Sequence, residues 1–169
     1  ELLGSSATYV LTNGSNTVGT LAANAASVGL ADTTALTIGT VGGTTGVTTS
    51  GALTLNVNGN ISDPTPPVSV GAFILNGGSW SQVSASLPTF TASNDFELNG
   101  GAFLRATGGD GSAATPYLIA DVYGLQGINS SSALLADSYQ LAGAINASGT
   151  STWNGGAGFM PLGTNGTSL

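Results

Sequence analysis

The sequence predicts an all-β chain wound as a right-handed parallel β-helix, a solenoid with at most one short helix, near residues 121–128. Three observations predict it. Short apolar runs are stopped by turn residues, those runs recur imperfectly at the length of a solenoid coil, and the composition is apolar yet almost uncharged. Hydrophobic residues make up 41% of the 169 residues and charged residues only 5%, against ~25% charged in an ordinary soluble domain. Strand cores of Leu, Ile, Val and Phe set the chain apart from a disordered Gly/Thr/Ser tract. Its polar surface must come from Thr, Ser, Asn and Gly.

The β-type runs follow one another along the first two-thirds of the chain. Residues 7–12 (Ala-Thr-Tyr-Val-Leu-Thr) end at Asn13-Gly14, and residues 35–39 precede Gly42-Gly43. Residues 52–57 (Ala-Leu-Thr-Leu-Asn-Val) precede Asn58-Gly59, and residues 71–75 precede Asn76-Gly77-Gly78. Residues 101–105 (Gly-Ala-Phe-Leu-Arg) precede Gly108-Gly109. Runs of this length, stopped by Asn-Gly or Gly-Gly, are strands bounded by turns.

An antiparallel sandwich would also produce such runs; the repeats favour a solenoid. Ala-Leu-Thr-Ile at 35–38 recurs as Ala-Leu-Thr-Leu at 52–55, Leu75-Asn76-Gly77-Gly78 as Leu98-Asn99-Gly100-Gly101, and Gly71-Ala72-Phe73 as Gly101-Ala102-Phe103. Stacked coils put like residues in register, so Thr and Asn can form ladders along a face, whereas a sandwich has no reason to repeat its turns. Coils of ~20 residues would make roughly seven or eight rungs, a rod ~35–40 Å long. Asp63-Pro64-Thr65-Pro66-Pro67 reads as a loop leaving the stack.

The texture divides the chain into Thr/Gly-rich coils over 1–111 and coils with a short helical crossover over 112–169. In the second part, 116–119 is strand-like, and Val122, Leu125 and Ile128 fall at helical spacing behind Asp121, the expected N-cap. A strand over 138–145 follows, so that strand, helix and strand form a crossover within one coil.

Charge narrows the function classes. Arg105 is the only basic residue, eight acids bring the net charge to −7, and neither His nor Cys is present. Nucleic acid, which is held by Lys and Arg on phosphates, is excluded as a partner, and an anionic membrane surface would repel the chain. No apolar run approaches the ~18 residues of a membrane span, so no membrane insertion is expected. Glu1 in place of Met, with no signal-peptide pattern, reads as a piece of something longer.

From Gly108-Gly109-Asp110-Gly111-Ser112 through Pro116-Tyr117-Leu118-Ile119 to Asp121-Val122-Tyr123-Gly124-Leu125-Gln126-Gly127-Ile128, the sequence resembles the repeat region of filamentous-haemagglutinin-like exoproteins. So do Tyr139, Leu141 and Ile145-Asn146-Ala147-Ser148, with Trp153-Asn154-Gly155-Gly156-Ala157-Gly158-Phe159 and Pro161-Leu162-Gly163. Residues 69–108, with Gly78-Ser79-Trp80-Ser81-Gln82-Val83 and Leu87-Pro88, look like the same family. The resemblance covers most of the chain and is specific from about residue 71 onward. In those proteins the segment runs into glycine-rich GLUG-type repeats, and here the sequence stops at Leu169, just before they would begin. The resemblance implies a parallel β-helix, export by two-partner secretion, a bacterial cell-surface location and an adhesive or matrix role. The secretion domain of such exoproteins is not visible, so secretion signals are expected outside this fragment.

The chemistry-bearing residues are few. Without His, Cys or Lys, a nucleophilic Ser lacks its base and no phosphate loop can be completed, so the chain is expected not to be an enzyme. Asp95 and Glu97, two apart, would share a strand face about 6–7 Å apart, near the separation of an inverting glycosidase; two solvated acids beside a turn is the favoured reading. Arg105 is expected to pair with Glu97 or Asp95. Asp110, in a glycine-rich turn, is the candidate ligand for Ca²⁺, set against a plain turn. Trp80 and Trp153 are the candidate glycan-binding residues, through stacking on sugar faces, set against a role as plugs where a loop meets a coil. Phe73, Phe96, Phe103 and Phe159 are expected in a stacked core. Asn-x-Ser/Thr tripeptides occur at Asn13, Asn60, Asn129, Asn146 and Asn165.

Three functions remain. The leading one is a non-catalytic secreted surface adhesin or matrix segment whose partners are glycans or cell-surface components, gaining strength from multivalency. The second is a self-associating filament subunit, since open coil ends expose unpaired strand edges; concentration-dependent fibres would single it out. The third is a glycan-active enzyme, which would lose activity on Asp95→Ala or Glu97→Ala.

Overall fold

A computed structural model describes residues 1–63 and 65–163. The strands are, in order, β1 (Leu2–Leu11), β2 (Thr20–Leu21), β3 (Ala23–Asp32), β4 (Leu36–Ile38), β5 (Thr40–Val41), β6 (Thr44–Thr45), β7 (Val47–Ser62), β8 (Val68–Val83), β9 (Phe90–Leu98) and β10 (Ala102–Ala106). Then come β11 (Tyr117–Ile119), α1 (Val122–Gly127), α2 (Ser132–Leu135), β12 (Tyr139–Leu141) and α3 (Trp153–Gly156).

Every pairing within the main sheet is parallel. The chain is a parallel β-solenoid of about six turns. Leu2 lies beside Ala23, Ala23 beside Val47, Val47 beside Val68 and Val68 beside Phe90, so successive coils advance by 21, 24, 21 and 22 residues. Parallel neighbours cannot be joined by a tight hairpin, and here the rest of each coil supplies the return path. The antiparallel exception is the pair β5–β6, a two-rung excursion from one corner.

Three walls surround the core. The first carries that Leu2–Phe90 column. The second carries Leu11, Leu30, Leu55, Leu75 and Leu98 in direct register. The third carries Leu36, Ile61, Trp80 and Phe103. Alternation decides which side chains enter: in β7 the residues Val47, Leu53, Leu55 and Ile61 are fully buried, while Thr48, Ser50 and Asn56 face out. Register shifts in β7 and β8, between Thr49 and Ala52 and between Asn56 and Asn60, mark the corners where one wall turns into the next.

Three expectations need correcting. Helical structure exceeds one short helix: beside α1, with its Asp121 N-cap accepting from the Gly124 N–H at 2.9 Å, α2 is also helical, whereas α3 is a tight turn whose Asn154 and Gly155 sit at positive φ. Ser131 nucleates α2 by accepting from the Leu134 N–H, and Leu134 is buried beneath it. The stack is shorter than seven or eight rungs, because β10 ends the ladder and the following chain folds over it; 138–145 yields only the short β12, paired in parallel with β11. The third correction concerns the repeats. Leu75 and Leu98 do pair, and Asn99 donates to Asn76 at 3.2 Å. But Leu36 pairs with Ile61, not Leu53, and Phe73 pairs with Phe96, not Phe103. Only the Leu-Asn-Gly-Gly repeat is a coil. The proline run forms the corner linking β7 to β8, with Pro66 buried and the Pro67 carbonyl accepting from Val47 N–H; Pro64 lies outside the described residues.

Candidate functional site

The upper half of the core is aromatic. Phe73 contacts Trp80, Phe90, Phe96 and Phe103 at centroid separations of 5.1–5.8 Å, mostly edge to face. Trp80 is 1% exposed and stacks on Phe103 at 5.6 Å. Trp153 is 2% exposed and is covered by Phe96 at 5.0 Å and Tyr123 at 5.1 Å. With both rings covered, neither indole has a free face on which a sugar could stack. Trp80 enters the core because it occupies the inward parity of β8, in register with Ile61 and Phe103.

The same parity explains Arg105, and it overturns the expected pair with Glu97 or Asp95. In β10, Phe103 and Arg105 point inward, and Arg105 is 4% exposed. Its Nε donates to Asp121 at 2.6 Å, one terminal nitrogen to Gln82 and the other to the Pro88 carbonyl at 2.7 Å. Its guanidinium also lies over Phe90, 5.6 Å from the centroid. Gln82 in turn donates to Asp63, to the carbonyl at 2.6 Å and to the carboxylate at 3.1 Å. Asp63, Gln82, Arg105 and Asp121 therefore form a polar spine along one corner of the core, a feature that sequence reasoning missed. The spacing of 19 from Asp63 to Gln82 and 23 from Gln82 to Arg105 was the available signal.

Burial pushes the Asp63 carboxyl up to about 6, against the opposing pull of the Gln82 hydrogen bond and the Arg105 charge. Its Oδ1 is buried without a hydrogen-bond partner among the described residues. A carboxyl so placed keeps its proton to a higher pH than a free one, since desolvation penalises the charge. Asp121 serves twice, as the counter-ion of Arg105 and as the cap of α1.

That double role fastens a lid over the last coil. Gly124 and Gly127 lie against β10, where a Cβ on either would run into the carbonyl of Arg105 or Phe103. Glycine is required there by the closeness of helix and strand, not by a left-handed backbone. The lid also satisfies the strand edge: Ala92 N–H donates to the Tyr123 hydroxyl at 2.9 Å and Phe103 N–H to Ser130 Oγ at 2.8 Å.

The remaining acids are committed locally. Asp95 accepts from the N–H groups of Phe96 and, across the lid, Gly155 at 3.2 Å. Glu97 accepts from Asn99 at 3.0 Å. Asp110 is exposed and organises its own turn, accepting from Thr115 Oγ1 at 2.5 Å and Ser112 N–H at 2.9 Å. Those bonds, Thr115 first, hold its carboxyl down at about 2. No group of three or more potential metal ligands of the His, Cys, Asp and Glu types occurs among the described residues. Around the β11–β12 pair, burial and the Asp137 charge push the Tyr117 and Tyr139 hydroxyls up.

The outer walls are where contact with a partner is available. Asn24, Thr48, Ser69 and Thr91 stand in register on the first wall, all exposed. Thr37 and Ser62 share a 3.1 Å hydrogen bond on the third. At ~4.8 Å between rungs, such columns present evenly spaced, uncharged donors and acceptors.

Against known proteins, the chain is 37% identical over 105 residues to halomucin of Haloquadratum walsbyi (strain DSM 16790 / HBSQ001). The match covers 62% of this chain and 1% of halomucin. The chain thus spans a very small part of the length of that relative. No family model matches, and no solved structure does, so the resemblance to filamentous-haemagglutinin-like exoproteins is not confirmed. Among the described residues, no helix is long and apolar enough to cross a membrane.

Proposed function

We propose that this chain is a non-catalytic display segment of a very long cell-surface protein, a stiff β-solenoid that makes weak, repeated contacts through its hydroxyl- and amide-bearing walls. The observation that carries this reading is the in-register exposed column Asn24–Thr48–Ser69–Thr91 over a core of packed apolar side chains with a hydrogen-bonded polar spine at one corner. The similarity to halomucin, in which the matched stretch is 1% of the whole, supports a role as one segment among many. Asp63, Asp95, Glu97, Asp110, Asp121 and the one base all serve turns, caps, local hydrogen bonds or the spine, which supports a structural reading over glycan hydrolysis. Single contacts of this kind are weak, and affinity would come from many segments acting together. Secretion and adhesion to glycans belong to the same proposal, with Ca²⁺ at Asp110 as its metal-dependent variant.

The test is a tetramer of the biotinylated chain on streptavidin, applied to a glycan array and to intact cells with and without Ca²⁺. Binding by the tetramer but not the monomer, lost on changing Thr48, Ser69 and Thr91 to Glu, is the expected result. A tetramer that binds nothing, while the chain alone sediments as growing polymers, would replace this reading with the filament.

A further inference from the structure

The Asn-x-Ser tripeptides are treated unequally by the fold. Asn60-Ile61-Ser62 lies inside β7, paired with β8 on one side and β4 on the other, with Ile61 fully buried and the Ser62 hydroxyl bonded to Thr37. Asn129-Ser130-Ser131 is spent on the lid: Asn129 Oδ1 accepts from Gly163 N–H at 3.2 Å, Ser130 Oγ accepts from Phe103 N–H, and Ser131 caps α2. Asn13-Gly14-Ser15 and Asn146-Ala147-Ser148 are different. All three residues of each are exposed and lie outside the strands. In each, the Asn Oδ1 accepts from the Ser N–H two residues on, at 3.0 Å. That Asx turn ties each Asn side chain to the backbone of its Ser, and no group among the described residues binds either Nδ2. Asn165 lies outside the described residues.

We propose that Asn13 and Asn146 are N-glycosylation acceptors of the folded chain, taking an oligosaccharide from a polyisoprenoid-phosphate or -pyrophosphate donor, while Asn60 is withheld by the ladder that fixes its backbone and Asn129 by its place in the lid. In the transfer, Asn Nδ2 forms a bond to the sugar C1, and the bond from C1 to the phosphate oxygen breaks. Its electron pair leaves with the lipid phosphate, and the Nδ2 proton passes to a base of the transferase. Nothing is oxidised or reduced. An exposed loop can enter a transferase cleft in an extended form, whereas a rung of the ladder would first have to open locally. The two sites fall at opposite ends of the stack, Asn13 just after β1 and Asn146 beside Thr91, Tyr123 and Trp153 at the lid. The inference goes beyond the display reading and does not depend on it, because acceptor geometry is a property of the fold.

The experiment incubates the folded chain with a purified oligosaccharyltransferase and its lipid-linked oligosaccharide. Occupancy is read by mass spectrometry of chymotryptic peptides, since one Arg and no Lys leave trypsin little to cut. Free peptides spanning each of the four tripeptides normalise for local sequence. Transfer to Asn13 and Asn146 should exceed that to Asn60 and Asn129 by roughly tenfold or more, because the latter need local opening. Ser15→Ala and Ser148→Ala should each abolish transfer at their own site alone. Equal normalised occupancy at all four, or no transfer to Asn13 and Asn146 in the folded chain, overturns the proposal.

Discussion

The two ends of the solenoid face the same physical problem and meet it differently. At one end β1 pairs with β3 on one side and has no strand on the other among the described residues. Its side chains are mostly exposed, with Leu3 at 52% and Val10 at 70%. At the other end β9 and β10 are roofed by α1, the 3₁₀ turns Ile128–Ser130 and Ser148–Thr152, and α3. There the edge N–H of Ala92 and of Phe103 is satisfied by a side-chain oxygen, and the Asn94 carbonyl accepts from the Thr152 hydroxyl. An exposed strand edge is a template for pairing with another chain. The roofed end shows that such an edge can be closed by side chains, a glycine-flattened helix and tight turns, with no further strand. The filament reading would therefore have to work through the first coil, at β1 and β2, since the other end is closed.

Removing the roof should have the largest effect. A chain ending after Ile119 would bare Phe96, Phe103 and the β9–β10 edge, and it should aggregate or fail to fold, read by light scattering and circular dichroism. Persistence of a soluble monomer would mean that the roof is not needed. Next comes Gly127→Val, whose side chain cannot be placed without lifting α1 from the Phe103 carbonyl. Overpacking of this kind costs ~1–3 kcal/mol or more, measurable by urea unfolding, and an unchanged midpoint would show the helix to be loosely held.

The spine beneath the roof offers a pH test. The unfolded Asp63 carboxyl titrates near 3.8 and the folded one at about 6, so the folded state keeps a proton that the unfolded state releases between those values. Stability should thus fall as pH rises from about 4 through 6 and then level off. Asp63→Asn should remove that slope and raise the neutral-pH melting temperature by roughly 3–6 °C. A wild-type profile that rises over this window would contradict the burial argument. The smallest effect is expected at the open end, where Val10→Lys should change stability by less than ~0.5 kcal/mol. It should still weaken any self-association in sedimentation velocity, by placing a charge on the free edge.

Much of this architecture is visible in the residues. Asn13-Gly14 and Gly108-Gly109 follow the ends of β1 and β10, and Asp121 followed by apolar residues at helical spacing locates α1. Other parts are not. Asn58-Gly59 and Asn76-Gly77-Gly78 do not stop strands as expected: they lie inside β7 and β8, where the chain turns a corner and the ladder continues. β3 reads as an Ala/Ser stretch and becomes a central strand because Ala23, Ala25, Val28 and Leu30 pack on β7. Ala-Leu-Thr recurs in β4 and β7 because both are buried walls, although the two copies sit on different ones. A repeat in sequence reports a shared environment, and only the ladder says which copies are neighbours.

By itself, the sequence determined the alternation that buries one side of each strand, the glycine positions where the chain turns, and the scarcity of charge that leaves the outer walls to hydroxyls and amides. These are local properties, set by side-chain period and by the conformational freedom of Gly and Asn. The tertiary structure alone decided which strands lie side by side, which way Trp80, Trp153 and Arg105 face, and that residues 122–163 roof the stack. Such choices depend on contacts between residues ~20 or more positions apart, whose energies no short window of sequence contains.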